Sequence, residues 1–280
     1  MLAPRSWITL LSTLTSLTCL AQNAPLPEVA TLMKQVEERQ HKMDETRENY
    51  TYYQAVVTKE LDKDGKVKKT ESEENEVFFV NSHEVHRRVK KNGKELSADD
   101  QKKEQDHVMK EIEKAQKTPR GQSPDHDTVS VSRLLSIMKV SNPRREQMDG
   151  RDMIAFDFTG DPHAKTHGMA ENASKKLSGT LWVDEKDREV RRMIARFDDN
   201  FRLGFGLFSV GKGSNFTFDQ KLVNNELWLP TAMQAHIVGH AIGLIGYRAD
   251  INAINNDYKK FHAEAEQQPG AKVVEPQKHP

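Results

Sequence analysis

Leu177-Ser178-Gly179-Thr180-Leu181-Trp182-Val183, then Asp184-Glu185-Lys186-Asp187, then Val190–Phe197: this stretch decides the fold. Apolar and polar residues alternate on both sides of a polar tetrapeptide, the pattern of two antiparallel strands joined by a turn. A helix cannot keep such residues on one side, because its side-chain period is 3.6 rather than 2. The same grammar spreads outward. Upstream, residues 144–148 and 153–158 flank Asp149-Gly150, a hairpin signal. Downstream, residues 201–210, 215–223 and 227–233 read as strands, and 235–252 reads as one long alternating strand. Residues 161–176, between the two hairpins, read as a polar loop.

The N-terminal half repeats the theme with helices added. Val29, Leu32, Met33, Val36, Gln40 and Met43 recur at three and four residues, which predicts a helix over 26–46 with one apolar stripe. Strands are predicted at 50–58, 66–80 and 83–89, with Asp64-Gly65 and Asn92-Gly93 in the turns. A charged helix is predicted over 97–117, capped by Ser97 with Asp100 three residues on. Its apolar residues are few: Val108, Met109, Ile112 and Ala115. A loop at 118–127 and a short apolar helix at 129–138 complete this half. About ten strands in two blocks, with helices at the start and middle, argue for α+β with an antiparallel sheet. So large an antiparallel sheet tends to curl. The expected fold is a strongly curved antiparallel sheet, an incomplete barrel, with helices covering its concave face.

The first residues have a different character. Arg5 is the only charge before Glu28, an apolar and hydroxyl-rich run covers 7–20, and Cys19-Leu20-Ala21-Gln22-Asn23-Ala24-Pro25 closes it. That is the grammar of a secretory signal, cut after Ala21 or Ala24. The run is shorter than the roughly 20 apolar residues that span a bilayer. Cys19, the single cysteine, follows Ser16-Leu17-Thr18, a poor match to a lipid-attachment sequence, so no anchor is expected there. The expected organisation is a signal peptide at 1–24, one domain at 25–262 and a disordered polar tail at 263–280, with the product in the periplasm. Of the 280 residues 36% are hydrophobic and 30% charged, and Lys+Arg and Asp+Glu number 42 each. A balanced charge gives no reason to propose nucleic acid or an anionic membrane as the main partner.

Several stretches in order resemble one family. They are Leu177-Ser178-Gly179-Thr180-Leu181-Trp182-Val183-Asp184 running into Glu189-Val190-Arg191-Arg192, then Gly211-Lys212-Gly213-Ser214, Leu227-Trp228-Leu229-Pro230 and Asn256-Asp257-Tyr258-Lys259-Lys260-Phe261. This succession is similar to the periplasmic outer-membrane lipoprotein carriers and lipoprotein-sorting (LolA-like) proteins, over residues 26–262. The resemblance implies an incomplete barrel with a helical lid, whose apolar cavity accepts the acyl chains of a lipoprotein or lipid. The charged 97–117 helix, the 118–127 loop and the charged first meander depart from the compact carrier pattern.

No constellation for chemistry emerges. His236 and His240 are four apart, but the glutamate of a zinc-protease helix is replaced by Ile237, and on a strand the two rings stand about 13 Å apart. No metal, cofactor or catalytic residue is therefore expected. Asp125-His126-Asp127, and Asp161-Pro162-His163 with His167, lie in loops without a nucleophile nearby. No Gly-x-Ser-x-Gly elbow, P-loop or dinucleotide fingerprint occurs.

The informative residues are apolar. Phe201, Leu203, Phe205 and Leu207 fall on one face of a single expected strand, with Gly204 and Gly206 leaving room on the other. Trp182, Phe216, Phe218 and Trp228 add to them, and Ile237 and Ile245 flank the small residues Gly239, Ala241 and Gly243. Such residues form either plain core or the wall of a ligand cavity under a lid, the 97–117 helix. The sequence thus leads to a non-enzymatic, exported binding protein for a hydrophobic ligand, a lipid or an acylated lipoprotein. The alternatives are an envelope sensor or scaffold that binds a protein partner on the same fold, and a hydrolase.

Overall fold

The computed structural model describes residues 25–119, 129, 131–203, 208–241 and 246–260. In chain order these form α1 (Val29–Arg47), β1 (Tyr50–Leu61), β2 (Val67–Val80), β3 (His83–Lys91), β4 (Lys94–Glu95), α2 (Ala98–Lys117), α3 (Val131–Ser136), β5 (Met138–Met148) and β6 (Arg151–Gly160). There follow α4 (Gly168–Ser174), β7 (Leu177–Asp184), β8 (Val190–Phe197), β9 (Phe201–Leu203), β10 (Phe208–Val210), β11 (Asn215–Val223), β12 (Leu227–Ala241) and β13 (Tyr247–Lys260). The strands make one sheet in the order β4-β3-β2-β1-β13-β12-β11-β8-β7-β6-β5, and every pairing is antiparallel. It is an α+β architecture with a curved sheet that does not close.

Local chemistry explains the turns. Asp149 and Gly150 both take positive φ, 52° and 75°, between β5 and β6. Asn224 and Asn225 do the same between β11 and β12, at 53° and 54°. The first is the two-residue turn that matches strand twist; the second connection has three residues, Asn224 to Glu226, with the Glu226 N–H donating to the Val223 carbonyl at 3.0 Å, and Asp, Asn and Gly tolerate such backbone best. Ser97 caps α2 as expected: its side chain accepts from the Asp100 backbone N–H and its hydroxyl donates to the Asp100 carboxylate at 2.7 Å.

Gly179 has a separate reason. A methyl there would be driven into the Ile194 carbonyl oxygen and the Ala195 backbone on β8. The glycine of the Gly-Thr-Leu-Trp-Val-Asp run is thus a demand of close strand approach.

Register shows which residues share a face, since directly paired residues point the same way. Phe156, Leu181 and Met193 are paired in succession across β6, β7 and β8. They belong to a core with Leu32 and Val36 of α1 and Leu134 and Leu135 of α3. A second core joins Met43 of α1 to Tyr50, Tyr52, Val77, Phe79, Leu227 and Leu229. One helix therefore reaches sheet positions from β6 to β2. A helix of 19 residues is about 28 Å long. Seven strand intervals in a flat sheet cover about 34 Å. The sheet curls towards α1, and the side carrying α1 and α3 is the concave one.

Polar groups also lie beneath α1. Glu189 is fully buried, with the Gln40 amide donating to its carboxylate and the Arg39 guanidinium at 3.5 Å. Arg47 donates in turn to Gln40 Oε1 at 3.1 Å. A buried carboxylate persists only when charged and polar partners surround it, so this group fixes the rotation of α1 on the sheet.

Three expectations need correction. The 97–117 helix is not a lid over the concave face. The apolar side of α2 packs Val108, Ile112 and Ala115 against Phe78, Val80 and Val85, which alternate with the concave Val77 and Phe79. Glu104 of α2 also accepts from the backbone N–H of Arg88 at 2.8 Å, satisfying a donor on β3 near the sheet edge. The stretch 161–176 is not all loop, since it contains α4. Finally, 201–210 and 235–252 are not single strands. β9 and β10 pair with Leu203 opposite Phe208, and β12 and β13 pair with Gly239 opposite Tyr247, so the chain reverses inside each stretch.

Candidate functional site

The register carries the concave face out of the packed core and across β11, β12, β13 and β1. Met193 pairs with Phe218, Phe218 with Met233, Met233 with Ala253 and Ala253 with Val56. The next row runs Ala195, Phe216, Ala235 and Ile251. The third pairs Ile237 with Ala249, and the fourth runs Phe201, Val210, Gly239 and Tyr247. Almost every member is apolar. The intervening residues of β12 and β13, among them Gln234, His236, Asp250 and Asn252, take the convex face.

The small members of this surface, Ala195, Gly239, Ala249 and Ala253, are buried, while the larger side chains beyond Met193 are only half covered. Met233 is 42% exposed and Tyr247 40%, while Phe201, Phe216, Phe218, Ile237, Ile251 and Val56 are half-buried. From Met233 to Gly239 the stripe is about 20 Å long, six strand residues at about 3.3 Å each. Apolar side chains left this open beside a fully packed core cost hydration free energy of about 25 cal/mol per Å². A surface of that kind can receive an apolar group.

The residues singled out in the sequence divide accordingly. Phe201, Phe216, Phe218 and Ile237 lie on this face. Leu203 lies in β9, and Phe205, Leu207 and Ile245 fall outside the described residues. Trp182 does not belong here. It alternates with the concave Leu181 and Val183, so it points to the convex side. Its indole N–H donates to Glu146 at 2.7 Å, which holds that carboxyl below the usual range. Trp228 is 2% exposed and does not line the open stripe. Its indole donates to Asp187 at 3.0 Å, and the Arg151 guanidinium lies 5.4 Å from its ring centre. Arg151 also binds Asp184 and Asp187, at 2.5 and 2.6 Å, so Trp228 is clamped structure.

Members that sequence reading missed are Val56, Val210, Met233, Ala235, Tyr247, Ala249, Ile251 and Ala253. The signal for those on β13 was present in the odd-numbered alternation. Gly239 pairs with Tyr247, so odd residues keep the concave side through the reversal. Gly239 itself is required by packing: a methyl would meet the Ser209 carbonyl oxygen on β10.

The histidine pair resolves as a strand pair. His236 Nδ1 lies 2.6 Å from Asp250 Oδ1, its direct partner on β13. Among the described residues no three His, Cys, Asp or Glu side chains gather as metal ligands do. Of the loop groups, Asp161 accepts from the His163 backbone at 2.9 Å and pairs with Lys139 at 3.1 Å, while residues 125–127 fall outside the described ones.

At one end of the stripe, Phe201 opens into a pocket of about 450 Å³ with Pro162, Met169, Asn172, Lys175 and Lys176. α4 forms its far wall. A bidentate pair holds α4 against α3: Arg133 Nε and Nη2 donate to the Glu171 carboxylate at 2.9 and 2.8 Å. The His167 backbone N–H adds a third bond at 2.6 Å. The Arg133 guanidinium above all, and that N–H after it, keep the Glu171 carboxyl below the usual range.

No family model matches the chain, and no curated protein does. Among solved structures the chain is similar to a DUF1329 family protein from Desulfovibrio piger, at 13% identity over 81% of this chain and 92% of that one. The TM-score is 0.36, too loose a superposition to carry residues across.

Proposed function

We propose that the protein is an exported binding protein for a hydrophobic ligand, a lipid or an acylated lipoprotein, which it holds on the concave face and carries through the periplasm. The half-exposed apolar stripe from Met233 to Gly239, continued on the neighbouring strands, supports this reading most directly. The leader grammar of the first 24 residues supports the location. Binding would be hydrophobic transfer, in which each buried methylene contributes about 0.8 kcal/mol. The α1 side of the trough is packed and polar-locked, so it serves as a fixed wall. The ligand enters from the uncovered side, over β13 and β1. No covalent step is involved.

Native mass spectrometry of the protein purified from envelope extract without detergent tests the reading. A discrete added mass matching a lipid or acylated peptide is the expected result. Bare protein that also takes up no added lipid would sink it in favour of an envelope scaffold. Met233→Glu places a charge in the trough at a site already 42% exposed. It should abolish lipid uptake while the thermal midpoint stays close to wild type. Unfolding by Met233→Glu would instead assign that residue to the core.

A further inference from the structure

Lys175 gives the trough a chemical polarity. Among the described residues, each carboxylate around the pocket under Phe201 is already engaged. Asp161 is held by Lys139 at 3.1 Å, Glu171 by Arg133 at 2.8 Å, Asp198 by Arg196 at 3.2 Å and Asp199 by Lys176 at 3.5 Å. Among the described residues no carboxylate pairs with Lys175, which lines the pocket half-buried. Its neighbours there are the apolar surfaces of Pro162, Met169 and Phe201, and Met169 is 40% exposed. Phe201 is also a member of the concave row with Val210 and Gly239, so pocket and trough share a wall. A cation without a counter-ion at the end of an apolar channel matches a ligand with an apolar body and an anionic end.

We propose, building on the hydrophobic-ligand reading above, that the ligand is a single-chain anionic amphiphile of the fatty-acid class. Its chain lies along β12 on the concave face. Its carboxylate sits in the pocket between α4 and β9, against the Lys175 ammonium with Lys176 behind it.

The test compares two probes with the same chain, oleate and oleyl alcohol, below their aggregation limits. Wild type should bind oleate about tenfold more tightly, the value of one charge-assisted hydrogen bond. Lys175→Glu should abolish or reverse the preference for oleate over oleyl alcohol, while Lys175→Arg should keep it. Equal binding of both probes by wild type, or a preference that survives Lys175→Glu, would overturn the head-group assignment alone. Binding of neither probe would overturn the hydrophobic-ligand reading with it. Circular dichroism of each variant separates a lost site from a lost fold.

Discussion

Ser214 shows how one hydroxyl can hold a sheet together. It is fully buried, and its Oγ accepts from the Val238 N–H at 2.8 Å while donating to the Val238 carbonyl at 3.0 Å. The side chain thus stands in for a missing strand residue where β10 gives way to β11 along β12. Ser214→Ala should cost about 1–3 kcal/mol, the penalty of an unsatisfied buried amide, read as a lower urea midpoint at unchanged slope. Glu171 makes a second case, and its consequence is a pH dependence. Its folded pKa lies below the ordinary 4.5, so its contribution is complete above that value. That contribution is lost as pH falls through the lowered folded value. Wild type should therefore lose stability more steeply than Glu171→Gln, which has no such carboxyl to protonate, as pH falls below 4.5. Parallel urea midpoints for the two proteins across that range would remove Glu171 from the account.

The elements show where sequence reading succeeded and where it ran out. Paired strands with Asp-Gly or Asn-Gly between them were legible, because the turn residues interrupt the alternation. The reversals after β9 and β12 were not. In Phe201–Val210 the odd-even pattern continues through Gly204 and Gly206 without a polar break, so a hairpin and a single strand look alike. α4 was invisible for the opposite reason: Gly168, Asn172 and Ser174 carry no helical apolar stripe, and the Arg133–Glu171 pair that secures it bridges 38 positions. Of the site, the Phe-rich positions on β11 were legible as apolar. Their side of the sheet, and the exclusion of Trp182 from it, needed the pairing partners. Glycines separate likewise by element. Gly179→Ala should cost more than about 3 kcal/mol, since its methyl meets a strand backbone that cannot yield. Gly150→Ala, in open space but at φ 75°, should cost only about 1 kcal/mol. Equal thermal shifts for the two would mean that β7 and β8 can separate at no cost.

For the whole molecule, α1 joins two cores that the sheet alone would keep far apart. Leu32→Ala should cost about 2–5 kcal/mol, and the fluorescence of Trp182 and Trp228 should still unfold together with far-ultraviolet circular dichroism. Two separate transitions would show that the β1–β3 end and the β5–β8 end fold independently. The pairing of β1 with β13 carries a consequence of a different kind, one of timing. Tyr50 stands opposite Lys260, so the first strand to leave the ribosome waits for the last. Until then the early meander is a ribbon with an open edge, and the strands β5 to β12 form a second ribbon with another. Such long-range closure slows folding and leaves both edges available to other chains. A chain stopped before residue 247 would not be a shortened protein with a missing edge. It would be two sheets bridged by α1 alone, each presenting the seam meant for the absent strand, and its fate would be aggregation or capture by a chaperone.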